Sequence, residues 1–210
     1  MTLSNNEKNF GIGLAGCGTV GTGVIRALQR NGELIRQRTG GQMTMQVKRV
    51  LVRDATKSRD EAVDATMLTT DWRAVVEDPA VHLVVELIGG TGLAFEIVAR
   101  ALELGKPVVT GNKALLAERG VELFALSKKH QVPIHFEAAV AGGIPIIKTV
   151  QEAFVGNRMT ALCGIINGTS NYILQRMSEA RLDFQTALGE AQALGYAEAD
   201  PTLDVNGWDA

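Results

Sequence analysis

An α/β fold built on a doubly wound parallel sheet is predicted for this 210-residue chain by three observations. A short apolar run, "FGIGLA" (10–15), leads straight into a glycine-rich stretch, with six glycines in "GIGLAGCGTVGTG" (11–23). Helical spacing follows at once through Val20, Val24 and Leu28, with Ile25 beside them. From there to Val140, short apolar runs alternate with amphipathic helical patterns. Parallel strands joined by crossover helices have that rhythm.

In the first unit, Phe10, Ile12, Leu14 and Ala15 read as a buried strand. The spacing Gly16-x-Gly18-x-x-Gly21 is a dinucleotide fingerprint, and its setting between strand and helix gives it meaning. In such a turn Gly16 permits the sharp bend, Gly18 leaves room for a pyrophosphate, and Gly21 lets helix and strand pack closely. Thr19 and Val20 open the helix, whose N–H groups and positive dipole end suit an anion. The same turn, read alone, also serves as a tight βα connection with no ligand. The first helix extends to about Arg36. "MQVKRVLV" (45–52) is the second strand and "VHLVVELIGG" (81–90) reads as another. "AFEIVARALELG" (94–105) is a helix through Val98 and Leu102 that stops at Gly105. A short strand "PVVTGN" (107–112), an amphipathic helix "ERGVELFALSKKH" (118–130) and a strand "VPIHFEAAV" (132–140) follow. Near Gly142-Gly143 the alternation ends, and Pro145 opens a helix to about Val155. The chain therefore divides into a dinucleotide-binding domain over 1–141 and a second, partial domain over 142–210.

Composition narrows the function. The chain is 46% apolar and 21% charged, as soluble globular domains are. A net charge of −2, with no Lys/Arg cluster, points away from nucleic acid. No apolar run reaches the length of a membrane span, and "MTLSNNEKNF" lacks a signal peptide's apolar region. Two cysteines, Cys17 in the glycine turn and Cys163 in an apolar run, suit a reducing cytoplasm. Cys17 reads as a small residue fitted between glycines rather than a nucleophile.

A dinucleotide fold selects its cofactor at the end of the second strand, where an acid binds the ribose or an arginine meets a 2′-phosphate. Here that strand ends in Arg53-Asp54. Arginine first favours NADP, and the adjacent aspartate keeps NAD open; Arg53 is also readable as a solvated surface charge.

The second half carries longer motifs. "TGNKALLA" (110–117) sets Lys113 just beyond a strand's carboxyl end, where open α/β sheets bind ligands. "FEAAVAGGIPII" (136–147) has one acid and then a glycine-rich bend. "GIINGTSNYI" (164–173) runs from a strand into a helix capped by Thr169 or Ser170. "LGYAEADPTLDVNGWDA" (194–210) packs Glu198, Asp200, Asp204 and Asp209 into one acidic segment, readable as a solvated loop or as a substrate site.

Together "GLAGCGTVG", "TGNKALLA", "FEAAVAGGIPII", "GIINGTSNYIL" and "GYAEADPTLDVNGWDA" make the chain resemble homoserine dehydrogenase over essentially its whole length. The resemblance implies a Rossmann-like nucleotide domain followed by part of an α+β substrate and dimerisation domain. It implies interconversion of L-aspartate 4-semialdehyde and L-homoserine with NADPH or NADH, toward threonine and methionine, in a cytoplasmic homodimer. It makes Glu198 the partner of the substrate ammonium, with Asp204 in the same substrate segment. Asp209 becomes an active-site aspartate orienting the reacting oxygen. Lys113 stands beside nicotinamide and substrate, where its charge stabilises a developing alkoxide. Gly168 and Thr169 border the substrate, and Gly195 and Tyr196 lie at the cofactor–substrate junction. Glu137, Val140, Gly142 and Ile144 match a monovalent-cation site, whose oxygen ligands suit Na⁺.

The family continues past "NGWDA" with a lysine four residues after the aspartate matched by Asp209, one helical turn away. That lysine is the expected proton donor, so the resemblance implies that this chain is a fragment with little activity of its own. Two other readings stay open. One is a different NAD(P)-dependent semialdehyde oxidoreductase, for which neither cysteine has an obvious histidine partner. The other is a non-catalytic dinucleotide-binding module.

Overall fold

Alternation along the first strand decides how the sheet is covered. β1 (Lys8–Ala15) sends Ile12 and Leu14 to one face and Gly11, Gly13 and Ala15 to the other. On the glycine side the covering chain comes close: a Cβ at Gly13 would stand 2.8 Å from a Val75 methyl. The computed structural model describes residues 8–41, 43–165, 167–197 and 200–207. It forms two compact units, one up to Ala153 and one from Phe154 onward.

In the first unit β1 is joined by β2 (Met43–Leu51), β3 (Leu68–Thr69), β4 (Leu83–Glu86), β5 (Val108–Thr110) and β6 (Ile134–His135). All the pairings are parallel, in the order β3-β2-β1-β4-β5-β6. Connectivity reverses between β1 and β4, the place where open α/β sheets bind ligands. The connecting helices are α1 (Thr19–Arg38), α2 (Trp72–Val76), α3 (Gly92–Glu103) and α4 (Lys113–His130). On one face, Ile25 of α1 packs with Ile12, Leu14, Val47, Val50 and Val85. On the other, Val75 of α2, Ile97 and Leu102 of α3, and Leu115 and Leu123 of α4 pack with Val84 and Val108. The doubly wound α/β fold is thus present, with an apolar layer on each side of the sheet.

Some expected elements move. Val20 is 63% exposed and leaves the expected stripe; α1 buries Gly21 and Ile25, with Leu28 packed against the same core. α4 begins at Lys113 rather than at 118, because the Asn112 side chain caps it by accepting from the Leu115 N–H at 3.0 Å. The strand expected over 132–140 shrinks to β6, because a 3₁₀ turn over Glu137–Ala139 takes the Ala139 N–H to the Phe136 carbonyl. The helix after Pro145 is α5 (Ile146–Lys148), running into a π turn over Thr149–Ala153. The short β3 and α2 have no counterpart in the periodicity, being too brief to show one.

The second unit contains α6 (Gly168–Glu179), α7 (Phe184–Ala193) and α8 (Thr202–Val205). Ile173 of α6 packs with Ala187 and Ala191 of α7, joined by Tyr172, Met177, Phe184 and Leu188. Arg176 clips the pair to Glu190 at 2.7 Å. α6 is capped by Asn167, which accepts from the Ser170 N–H at 2.7 Å, and not by Thr169 or Ser170. The strand expected before it does not form among the described residues, where Met159, Leu162 and Ile165 are exposed. A strand needs a neighbour to take its backbone hydrogen bonds, and the described part of this unit is helical. Cys163, read as lying in that apolar run, is exposed.

Candidate functional site

The site of the first unit grows from the end of β1. Ala15 lies between Leu51 of β2 and Glu86 of β4, and the chain then bends at Gly16 with φ +102°. The Gly16 N–H donates to the Leu51 carbonyl at 3.0 Å, and the Leu87 N–H donates to the Ala15 carbonyl at 2.8 Å. The three fingerprint glycines meet different surroundings. A Cβ on Gly16 would lie 2.7 Å from the Leu87 carbonyl oxygen, and one on Gly21 would lie 2.2 Å from the Gly16 carbonyl oxygen. A Cβ on Gly18 would meet nothing within 4 Å. Gly16 and Gly21 are therefore required by the protein's own packing, whereas Gly18 faces open space. The ladder of α1 starts with the Thr22 N–H donating to the Gly18 carbonyl, so the N–H groups of Thr19, Val20 and Gly21 precede it. The first turn of α1 has no acidic residue, and its positive end is not neutralised from within. A cradle with open space at Gly18 and three leading N–H groups fits a pyrophosphate.

Around this turn the loop after β2 is fastened at several points. Arg53 is exposed just past the strand end. Asp54 folds back on its own turn, accepting from the Thr56 N–H and hydroxyl at 2.8 and 2.7 Å. Arg59 bridges the glycine turn and the β2 end, donating to the Cys17 carbonyl at 3.1 Å and the Asp54 carbonyl at 2.9 Å. Its buried Nε meets no partner among the described residues. Arg26 of α1 holds Asp60, Nε to Oδ1 at 3.1 Å, and Gln29 donates to the Ala62 carbonyl at 3.0 Å. The sequence reading missed Arg59, because no local spacing marks a residue whose partner lies 42 positions away.

Three aspartates of this loop are held below their ordinary pKa. For Asp54 the main cause is the Thr56 hydroxyl, for Asp60 the Ala62 N–H ahead of Arg26, and for Asp64 the Thr66 hydroxyl. A lowered folded pKa gives stability that is complete above the unfolded value and is lost as pH falls through the folded one. The first unit is therefore expected to lose melting temperature below about pH 4. Asp60→Asn should flatten that limb, as followed by thermal unfolding between about pH 3 and 6. An unchanged acid limb in the variant would exclude Asp60 from it.

At the next strand end, Lys113 is the first residue of α4 and is exposed. A cation at a helix N-terminus opposes the dipole, a local conflict of the sort functional sites retain. Further on, Glu137 accepts from the Ile147 N–H at 3.0 Å and the Lys148 N–H at 2.8 Å, tying α5 to the 3₁₀ turn. Between them the chain bends through Ala141 and Gly142, both at positive φ, and the Ile144 carbonyl accepts from the Ile146 N–H. Glu137 and the carbonyls of Val140, Gly142 and Ile144 thus share one bent segment and offer hard oxygen. No cluster of three or more His, Cys, Asp or Glu occurs among the described residues.

Within the second unit, the Thr169 hydroxyl donates to the Tyr196 carbonyl at 2.7 Å, and the Tyr172 and Tyr196 rings meet edge-on at 5.1 Å. Gly195, at φ +76°, ends α7 with its N–H on the Gln192 carbonyl and returns the chain toward α6. Gly168, Thr169, Gly195 and Tyr196 are so brought together by the α6–α7 pair. Glu198 and Asp209 lie outside the described residues, as does the side chain of Asp204. Asp200, just before α8, accepts from the Thr202 N–H at 3.1 Å.

Comparison with known proteins gives this geometry a family. A model described as the NAD binding domain of homoserine dehydrogenase matches residues 16–137, and the homoserine dehydrogenase model matches residues 145–210. This chain belongs to the homoserine dehydrogenase family. The homoserine dehydrogenase of Pseudomonas aeruginosa is 49% identical over 203 residues, covering 97% of this chain and 46% of that protein. That of Bacillus subtilis is 43% identical over 203 residues, again 97% of this chain and 46% of the relative. A crystal structure of a homoserine dehydrogenase from Thiobacillus denitrificans superposes with a TM-score of 0.87 at 48% identity, covering 98% of this chain and 47% of that one. The chain thus spans about half the length of the curated homoserine dehydrogenases it matches. A hyperthermophilic archaeal homoserine dehydrogenase in complex with NADPH shares the fold, with a TM-score of 0.78 at 24% identity over 96% of this chain and 66% of its own. Among the described residues no helix is long and apolar enough to cross a membrane.

Proposed function

We propose that this chain supplies the nucleotide half and the first part of the substrate half of an NADP-favouring homoserine dehydrogenase. The observation that carries the reading is the glycine turn: two of its glycines are filled by the protein's own backbone, and the third is left open at a helix N-terminus. On this reading, Gly16, Gly18, Thr19, Val20 and Gly21 hold the pyrophosphate, and Gly195 joins the cofactor side. Lys113 stabilises the oxygen that gains charge as hydride moves between nicotinamide and L-aspartate 4-semialdehyde. Gly168, Thr169, Tyr196, Glu198 and Asp204 hold the substrate, the carboxylates facing its ammonium, and Asp209 orients the reacting oxygen. The cofactor supplies the hydride; the protein supplies position, charge and the proton. Glu137 and the carbonyls of Val140, Gly142 and Ile144 would hold Na⁺, which would supply charge to keep that bend in shape. The whole enzyme works as a cytoplasmic homodimer toward threonine and methionine, with the domain division at 141/142.

The NADP preference rests on the end of β2, where Arg53 is exposed and Asp54 is already engaged by Thr56. Only NADPH presents a 2′-phosphate to Arg53. Arg53→Ala is expected to weaken NADPH by roughly tenfold or more and NADH by much less, the scale of a charge-assisted contact. Calorimetric titration of both cofactors measures it, and equal losses would show that Arg53 reads no phosphate.

A further inference from the structure

Glu86 is the one fully buried acid among the described residues and has no part in the mechanism above. It ends β4 at 0% exposure, in register with Ala15 of β1 and Thr110 of β5. It forms no ion pair with Lys, Arg or His among the described residues. Burying a carboxylate without a cation is costly, and a sheet core has no packing need for one. Neutral donors meet it instead. Its Oε2 accepts from the Thr110 hydroxyl at 2.6 Å, and its Oε1 accepts from the Ile88 N–H at 3.0 Å and the Asn112 side-chain amide at 3.4 Å.

Those donors are not scattered. Thr110 takes the Asn112 N–H on its hydroxyl at 3.0 Å, and the Asn112 amide also donates to the Gly90 carbonyl at 2.7 Å. The remaining side-chain oxygen of Asn112 caps α4, and the next residue is Lys113. One buried carboxylate therefore fixes the turn after β4, the end of β5 and the first turn of α4. All three lie at the carboxyl edge of the sheet, on the β4–β5 side of the glycine turn. None is part of that turn.

We propose that Glu86 is a positioning residue for the nicotinamide end of the site, acting through Thr110 and Asn112 on the start of α4 and on Lys113. The proposal rests on the nucleotide reading given above. It requires the effect of losing Glu86 to fall on the nicotinamide and to spare the pyrophosphate and adenosine.

Each reduced cofactor is therefore compared with its ADP-ribose counterpart, which lacks only the nicotinamide: NADPH with 2′-phospho-ADP-ribose, and NADH with ADP-ribose. Titrations use the 210-residue chain as wild type, Glu86→Gln and Thr110→Val, with the emission of bound NADPH read alongside. The expected result is a loss of roughly tenfold in affinity for the reduced cofactor, a shift in the emission of its bound nicotinamide, and an ADP-ribose affinity within about twofold of wild type. Thr110→Val removes the hydroxyl on which Glu86 acts and should reproduce the pattern, so a Glu86 variant that fails to fold does not end the test. Equal losses for cofactor and counterpart, or no change in either, would overturn the proposal and leave the nucleotide site standing. A wild-type chain that binds neither would overturn the nucleotide site, and this proposal with it.

Discussion

Gly18→Leu is expected to abolish measurable nucleotide binding while leaving the melting temperature of the first unit nearly unchanged. Gly21→Leu, three residues later, should do the reverse damage and lower the melting temperature of the unit by several degrees or more. The contrast follows from what each new side chain meets. At Gly18 a Cβ has nothing within 4 Å, and φ −85° is open to any residue. As the residue before the first helical turn, leucine there is a poorer cap than glycine by under about 1 kcal/mol. The leucine then occupies the space that a pyrophosphate needs. Losing a ligand held by leading N–H groups and a helix dipole should raise the dissociation constant by about 10²-fold or more, some 2.7 kcal/mol. At Gly21 the Cβ would stand 2.2 Å from the Gly16 carbonyl oxygen, which is backbone and cannot rotate away. Relieving that contact moves α1 off the sheet, at a cost of the order of 1–3 kcal/mol for overpacking and more if the bend at Gly16 is lost. Calorimetry with NADPH and thermal unfolding of both variants decide the matter. A Gly18 variant that binds normally would remove the pyrophosphate from this turn.

How much of this is legible in the sequence depends on how local each signal is. The glycine turn was legible because its spacing, the strand before it and the helix after it all lie within about thirty residues of chain, the scale of a βαβ motif. The sheet followed from alternation, since each strand of a parallel sheet is followed by a helix long enough to show its period. β3 and α2 were illegible for the opposite reason: two and five residues carry no period. The length of β6 is not legible, because apolar residues such as Val132 and Phe136 suit a strand and a 3₁₀ turn equally. By sequence Asn112 belongs to a strand, yet its side chain caps α4, and Asn167, not Thr169 or Ser170, caps α6. Both cases concern a single residue at a boundary, where several polar residues compete for one cap. Arg59 and Glu86 were invisible for another reason. Their partners are 42 and 24 residues away, and only the folded sheet brings them close. The family resemblance placed Lys113, Thr169 and Tyr196 on motifs, and the hydrogen bond between Thr169 and Tyr196 could not be anticipated from them.

The 210 residues, assayed as they stand with NADPH and L-aspartate 4-semialdehyde, are expected to turn over at least about 10²-fold more slowly than a chain continued as in the family. Hydride addition to the aldehyde carbon leaves an alkoxide, and the barrier falls when a positioned acid delivers a proton as that charge forms. The resemblance puts such an acid on a lysine four residues beyond the aspartate matched by Asp209, on the same helical face. The 210 residues span about half of the curated relatives' length. Two losses then act together. Without the lysine the alkoxide loses its positioned proton donor, at about 10²–10⁴-fold in rate. Without the remainder of the substrate half, the aldehyde is held less firmly against the nicotinamide, and orientation is worth orders of magnitude more. Three chains separate these effects: the 210 residues, an extension through the rest of the family's length, and that extension with its new lysine changed to alanine. Activity restored only in the unmodified extension assigns the proton to that lysine. Activity restored equally with alanine in its place gives the proton to another group, Lys113 being the candidate the resemblance offers. Full activity in the 210 residues alone would overturn the division of labour proposed for the two halves.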